Sequence, residues 1–364
     1  MTSIRNLFSG TTSVLAIAPL LGMLLLGGCG GSDAVSPTVD APAASAPADS
    51  AATLPTDSTI ALPDTTLPPD STTATGDSTA IDSTTMEPVI ISTSSHRGIA
   101  FGAYNMRSSQ LTPLLHSTMQ GVWPDFLMGD LVAAKAKGGR MILKMHGGPD
   151  DLVQNDNGTF SLTKWKALAY RYKKYNFASY ITDGTLMGHF LIDEPENAAK
   201  WGGQTIPHAT VEAMAKYSKE LWPTLPTFAR VRPTWLAKAT FNYVHLDAGW
   251  VQYASRFGDP AAFIAAEVAA AKSKGLGVMT GMNILDGGNG SSGVPGYMKG
   301  KWAMSATEIR NYGTAMLNQS YVCGFINWTY LYTGATYFAR TAIKSALTDL
   351  MYKAQSHVKT SCRQ

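Results

Sequence analysis

Several things are scarce or missing in this 364-residue sequence, and each narrows what the chain can be. Cysteine is rare, with only Cys29, Cys323 and Cys362. No His-x-His or His-Glu-x-x-His spacing occurs among the seven histidines, so no metal site is expected. No glycine-rich nucleotide fingerprint follows the first apolar segment of the folded part, and neither a cofactor nor a nucleic-acid partner is expected. The apolar stretch from Val14 to Leu26 is too short for a comfortable bilayer-spanning helix. Between residues 30 and 95 there is no Lys or Arg at all.

What is present divides the chain in three. Arg5 gives a positive n-region, residues 14–26 an apolar h-region, and Leu26-Gly27-Gly28-Cys29 follows at once. Leu-Gly-Gly-Cys resembles the lipobox of bacterial lipoproteins, which implies an exported protein lipidated on Cys29. Gly30, where an aspartate would be the inner-membrane retention signal, implies the outer membrane or cell surface. A membrane is thus an expected partner, through the anchor. Residues 30–95, rich in Ser, Thr, Pro, Ala and Asp, have too little apolar surface to offset chain entropy. They are expected to be a disordered tether with a reach of at most about 200 Å at ~3.1 Å per residue. Residues 96–364 are the folded domain. They hold 28 basic and 17 acidic residues, a net of +11. An acidic polysaccharide or an anionic surface would be attracted to such a domain, although many of its lysines fall on helix faces expected to be solvated.

From Arg97 onward, buried strand patterns alternate with amphipathic ones. Strands are expected at 99–105, 140–146, 186–193, 227–232, 242–247, 276–283 and 322–328. Helices are expected at 125–137, 162–177, 210–221, 260–274, 306–317 and 336–357. Such alternation points to an α/β fold with a parallel sheet, and at this length to a TIM-barrel-like (β/α) architecture. Seven strands are visible where a full barrel has eight, so either one is cryptic or the barrel is irregular. The glycine-rich stretch 285–293 reads as a mobile lid or binding loop.

The most informative stretch is Gly188-His189-Phe190-Leu191-Ile192-Asp193-Glu194-Pro195-Glu196-Asn197. Burial stops where three carboxylates begin, and Pro195 cannot extend a strand ladder. Asp193 and Glu194 therefore fall at the strand's C-terminal end, the catalytic face of such barrels. Glu196 best fits the plainer role of helix capping. Period-two alternation turns Arg140, Ile142, Lys144 and His146 to one face and Tyr243, His245 and Asp247 to the interior. It also places Arg230 and Arg232 together. Lys144 and the two arginines equally suit a structural ion-pair layer.

Six of eight tryptophans (Trp123, Trp201, Trp235, Trp250, Trp302 and Trp328) are expected at or just after strand C-terminal ends. Flat rings around one mouth suit the apolar faces of sugars, with Tyr253, Tyr330 and Tyr332 as further candidates. Here the sequence resembles the large clan of barrel glycoside hydrolases whose acid/base glutamate lies in an Asn-Glu-Pro motif. Asp193-Glu194-Pro195 is similar to that motif, and Trp328 resembles the clan's active-site tryptophan. The resemblance implies hydrolysis of a polysaccharide or oligosaccharide, with Glu194 protonating the leaving oxygen. No glutamate ends a later strand where the clan's nucleophile stands, so Asp247 is the expected base or nucleophile. Lys144, His146, Arg230, Arg232, His245, Asn283, Trp250, Trp328 and Tyr330 are expected to contact substrate. Two other readings stay open: a non-catalytic glycan-binding lipoprotein, and a metal-dependent hydrolase or deacetylase using His146, His245 and Asp247. Finally, an exported location permits a disulfide. Cys323 opens the last strand at the barrel bottom and the final helix descends to it, so Cys323 and Cys362 should pair. The oligomeric state is not legible.

Overall fold

Short runs rich in β-branched, aromatic and small apolar residues, each followed by an amphipathic segment, close into one sheet. In a computed structural model, which describes residues 98–358 and Cys362, eight parallel strands form a closed barrel in sequence order. They are β1 (Ala100–Tyr104), β2 (Ser117–Gly121), β3 (Arg140–Lys144), β4 (Leu186–Asp193), β5 (Thr227–Arg230), β6 (Ala248–Tyr253), β7 (Gly277–Met282) and β8 (Val322–Asn327). The helices are α1 (Pro124–Ala136), α2 (Leu162–Tyr170), α3 (Ala178–Thr182), α4 (His208–Leu221), α5 (Pro233–Leu236), α6 (Pro260–Lys272), α7 (Ala306–Leu317), α8 (Gly334–Ala339) and α9 (Thr341–Ser356). The expected signal segment, lipidated Cys29 and linker lie outside the described residues.

The expected TIM-barrel class holds, and two strands correct the sequence reading. The eighth strand is β2, Ser-Thr-Met-Gln-Gly, too polar to stand out as a buried run. Its hydroxyls are satisfied locally: Thr118 Oγ1 accepts from Met106 N at 3.1 Å and donates to Met106 O at 2.9 Å. Close pairing with β1 also demands Gly102, where a Cβ would fall 1.7 Å from the Ser117 carbonyl oxygen. The fifth expected strand, 242–247, is not a strand. The real one, β6, begins at Ala248, immediately after it.

Two apolar layers result. Tyr104, Met119, Ile142, Phe190, Phe228, Trp250 and Met279 fill the barrel interior, while a larger set packs between sheet and helices. In β3, Ile142 is interior and Met141 and Leu143 face the helices, as does Met145 just beyond it, as alternation predicts. Strand β4 breaks alternation. Phe190 pairs with Phe228, but Ile192 pairs with Ala229, so one residue is skipped. Leu191 and Ile192 both pack outward, and Asp193 returns to the inner face beside Arg230.

Helix α9 descends to the barrel bottom, where Ala354 O accepts from Ile99 N at 3.0 Å. Cys362 there joins Cys323 in a disulfide, with Cα atoms 5.2 Å apart. The glycine-rich stretch after β7 is pinned rather than loose. Glu308 of α7 accepts from Asn289 N at 2.7 Å and Ser291 Oγ at 2.9 Å while closing a capping box with Ser305.

Candidate active site

At the C-terminal ends of β3, β4 and β5, buried charges alternate in sign along one chain. Lys144 Nζ meets Asp150 Oδ1 at 2.7 Å, and Lys200 Nζ bridges Asp150 Oδ2 and Asp193 Oδ2, both at 2.6 Å. Arg230 Nε then donates to Asp193 Oδ1, and its Nη2 lies 3.0 Å from Glu194 Oε1. Three cations and three carboxylates thus compensate one another, which buried charges require. Burial alone would raise the Asp193 carboxyl, but Arg230 and Lys200 hold it below its usual range. Asp150 is likewise depressed despite burial, through His146, Lys144 and Lys200. His146 Nε2 sits 3.2 Å from Asp150 Oδ1, and burial outweighs that contact, lowering the imidazole to about 4.

Aromatic rings surround this chain. Trp328 stacks on Tyr104 with centroids 4.7 Å apart, and the Arg230 guanidinium lies 4.9 Å from the Trp328 ring centre. Trp250 is fully buried among Tyr104 and Phe190 and donates its indole N–H to Ile326 O at 3.2 Å. It forms the floor of the site rather than an open platform.

The turn after β4 sets the carboxylates. Glu194 adopts a left-handed φ of 50°, strained for a non-glycine residue, and its backbone is tied down on both sides. Its N–H donates to Arg230 O at 2.9 Å, and its carbonyl accepts from the Trp201 indole at 2.9 Å and Asn197 N at 3.0 Å. Glu194 and Glu196 then line one cleft with Arg230, Arg232, Gln252, Arg256 and Asn283. The cleft's volume of 140 Å³ is below the roughly 300 Å³ of a typical small-molecule pocket, so a larger ligand could not be enclosed by it.

Glu196 is the carboxyl that capping logic undervalued. Burial pushes it up to about 7, aided by the neighbouring Glu194 and Asp193 charges and opposed by its own backbone hydrogen bond and by Arg230, and its Oε2 is buried without a hydrogen-bond partner. A partly buried acid that titrates near neutrality in a cleft is suited to proton transfer.

Two expected site residues, Asp247 and His245, lie at the other end of the barrel. Asp247 precedes β6 at the barrel bottom, 2.5 Å from Lys219 Nζ, and accepts from Thr227 N at 2.8 Å. Thr227 opens β5 and Arg230 closes it, so Asp247 and Glu194 occupy opposite ends of the barrel and share no task. His245 lies at the same bottom end, 3.8 Å from Glu212 on α4. His146, His245 and Asp247 therefore form no common metal site. Arg232 leaves the inner face because β5 ends at Arg230. It pairs with buried Glu267 of α6 at 2.6 Å and reaches only the cleft edge. Asn283 stands at the end of β7 and bridges to Trp328, whereas Tyr330 packs on Phe338 away from the cleft. Of the six tryptophans, Trp201 anchors the β4 turn and Trp235 stacks on His208, while Trp123 and Trp302 are exposed beyond the cleft lining.

The fold resembles that of known solved structures. Its solved structural likenesses include barrel glycoside hydrolases. A β-glucanase from Saccharophagus degradans, in complex with cellotetraose, is 10% identical over 71% of this chain and 88% of its own, with a TM-score of 0.49. A β-1,4-mannanase is 12% identical over 70% and 99%, with a TM-score of 0.45. The catalytic domain of the major endoglucanase from Xanthomonas campestris pv. campestris is 11% identical over 71% and 94%, with a TM-score of 0.43. No protein-family model matches the sequence, and neither does any curated protein.

Proposed function

We propose that the cleft beside β4 is the active site of a glycoside hydrolase in which Glu196, rather than Glu194, protonates the leaving oxygen. The supporting observation is the unequal setting of the two glutamates. Glu194 faces the Arg230 guanidinium, the posture of a carboxylate that serves as base or nucleophile. Glu196 lacks such a partner for its Oε2, and burial holds its proton to about pH 7. A carboxyl that keeps its proton beside a second one paired with a guanidinium is the acid-and-partner arrangement that glycosidic hydrolysis requires. Asn283 and Gln252 on the cleft lining offer amides to sugar hydroxyls, with the edge of the half-buried Trp328 ring beside Asn283. In this proposal the barrel is exported and anchored through lipidated Cys29, with residues 30–95 as the tether.

A second reading rests on Asn283. It stands just past the C-terminal end of β7 on the cleft lining, at a later strand end where the resemblance would call for a second carboxylate, and an amide cannot serve as one. A barrel with that substitution could bind glycan without cleaving it. Incubation with a polysaccharide panel separates the two readings. Reducing ends released by the wild type and lost in Glu196→Gln support the hydrolase. Retention on affinity gels with no reducing ends released supports the binder.

A further inference from the structure

The cleft contains more positive charge than its own carboxylates require at the mouth. Arg230 is matched by Asp193 and Glu194, and Arg232 by Glu267. Arg256 is different. It is exposed in the turn after β6, lines the same cleft, and lies 4.6 Å from the Phe257 ring centre. No ion pair holds its guanidinium among the described residues. Gln252, on the same lining, has a second unused donor: its Nε2 is buried without a partner, while its Oε1 lies 3.4 Å from Arg230 Nη1.

Unused donors beside a carboxyl that holds its proton near neutrality define the complementary ligand. A neutral sugar would offer hydroxyls to Gln252 and leave Arg256 with water. A sugar bearing an anionic substituent would give Arg256 a charge-assisted, potentially bidentate partner at the cleft edge. It would also meet no repulsion from Glu196 while that group is protonated. The excess basic charge of residues 96–364 would draw such a polyanion in.

We infer that the cleft selects a glycan carrying an anionic group, a uronate carboxylate or a sulfate ester, and that Arg256 is its specificity residue. This rests on the carbohydrate reading of the cleft and narrows it to one substrate class. Because Arg256 is exposed and touches only the half-buried Phe257 ring, replacing it leaves the barrel core untouched.

Calorimetric titration with four probes tests it: oligogalacturonate, oligoglucuronate, a sulfated galactan oligosaccharide and a neutral cello-oligosaccharide. The wild type should bind at least one anionic probe about fivefold to tenfold more tightly than the neutral one. Arg256→Gln should bring that ratio close to one, and Arg256→Lys should restore part of it. Which anionic probe is preferred distinguishes carboxylate from sulfate. Equal affinity of the wild type for anionic and neutral probes would overturn the inference while leaving the carbohydrate reading in place. So would an anionic preference that survives in Arg256→Gln. Binding of no probe at all would overturn both.

Discussion

Reducing the Cys323–Cys362 bridge should destabilise the barrel by an amount set by the loop it closes. The two residues are 39 apart in sequence, and the bridge ties the last described point of the chain to the second residue of β8. Loop-closure entropy for about 39 residues corresponds to about 4 kcal/mol at 25 °C. For a domain of this size, with a shift of roughly 2–4 °C per kcal/mol, that becomes a fall in Tm of about 8–16 °C. Packing adds to the same effect, because Cys362 lies under the barrel against Gly277, where an added Cβ would meet the Cys362 carbonyl oxygen at 2.9 Å. Thermal unfolding followed by circular dichroism, with and without reductant, measures the shift. A Cys323→Ala/Cys362→Ala variant, insensitive to reductant, is the control. Two free thiols at these positions before reduction, or an unchanged Tm after it, would refute the placement of α9 and the chain end beneath β8.

Three further outcomes follow from the buried charges. Asp193→Ala leaves Arg230 with Glu194 alone and should cost about 3 kcal/mol in urea unfolding, the low end for breaking a buried pair because Lys200 keeps Asp150; a cost below about 1 kcal/mol would contradict the ion chain. The Glu196 carboxyl is raised when folded, so its contribution to stability is complete below the unfolded value of 4.5 and lost as pH rises through about 7. Glu196→Gln should therefore gain Tm relative to the wild type between pH 5 and 8, and a constant difference would argue against burial as the cause. Burial lowers His146 to about 4 and His189 to about 3, so the unfolded chain binds their protons first and stability should fall as pH drops from 6.5 toward 4. Urea midpoints at pH 6.5, 5.5 and 4.5 check this, and a flat series would mean that these imidazoles are hydrated.

The barrel was legible because six of its strands are apolar runs between amphipathic segments, and the disulfide followed from that topology. The losses have local causes. Ser117–Gly121 lacks the apolar signal because its polar atoms bond to a neighbouring loop rather than face water. The alternation of Tyr243, His245 and Asp247 imitates a strand, yet those residues cap the barrel bottom, and the true strand starts on the featureless pair Ala248-Gly249. That one slip moved Asp247 and His245 from one end of the barrel to the other. The carboxylate cluster after β4 was plain in the sequence, but the division of labour within it was not. Asp150 and Lys200 reach the cluster from short 3-10 turns after β3 and β4, and the unpartnered oxygen of Glu196 depends on how the turn folds after Pro195.

Whether Glu196 supplies the proton and Glu194 the carboxylate is decided by comparing two leaving groups. For each variant, kcat/KM is measured on a natural glycan, whose alkoxide leaving group needs protonation, and on an activated aryl glycoside of the same sugar, which leaves without it. Glu196→Gln is expected to lose about 10²–10⁴-fold on the glycan while retaining most activity on the aryl glycoside. Glu194→Gln is expected to lose both. The reverse pattern, with aryl glycoside activity surviving in Glu194→Gln and vanishing in Glu196→Gln, would contradict the assignment.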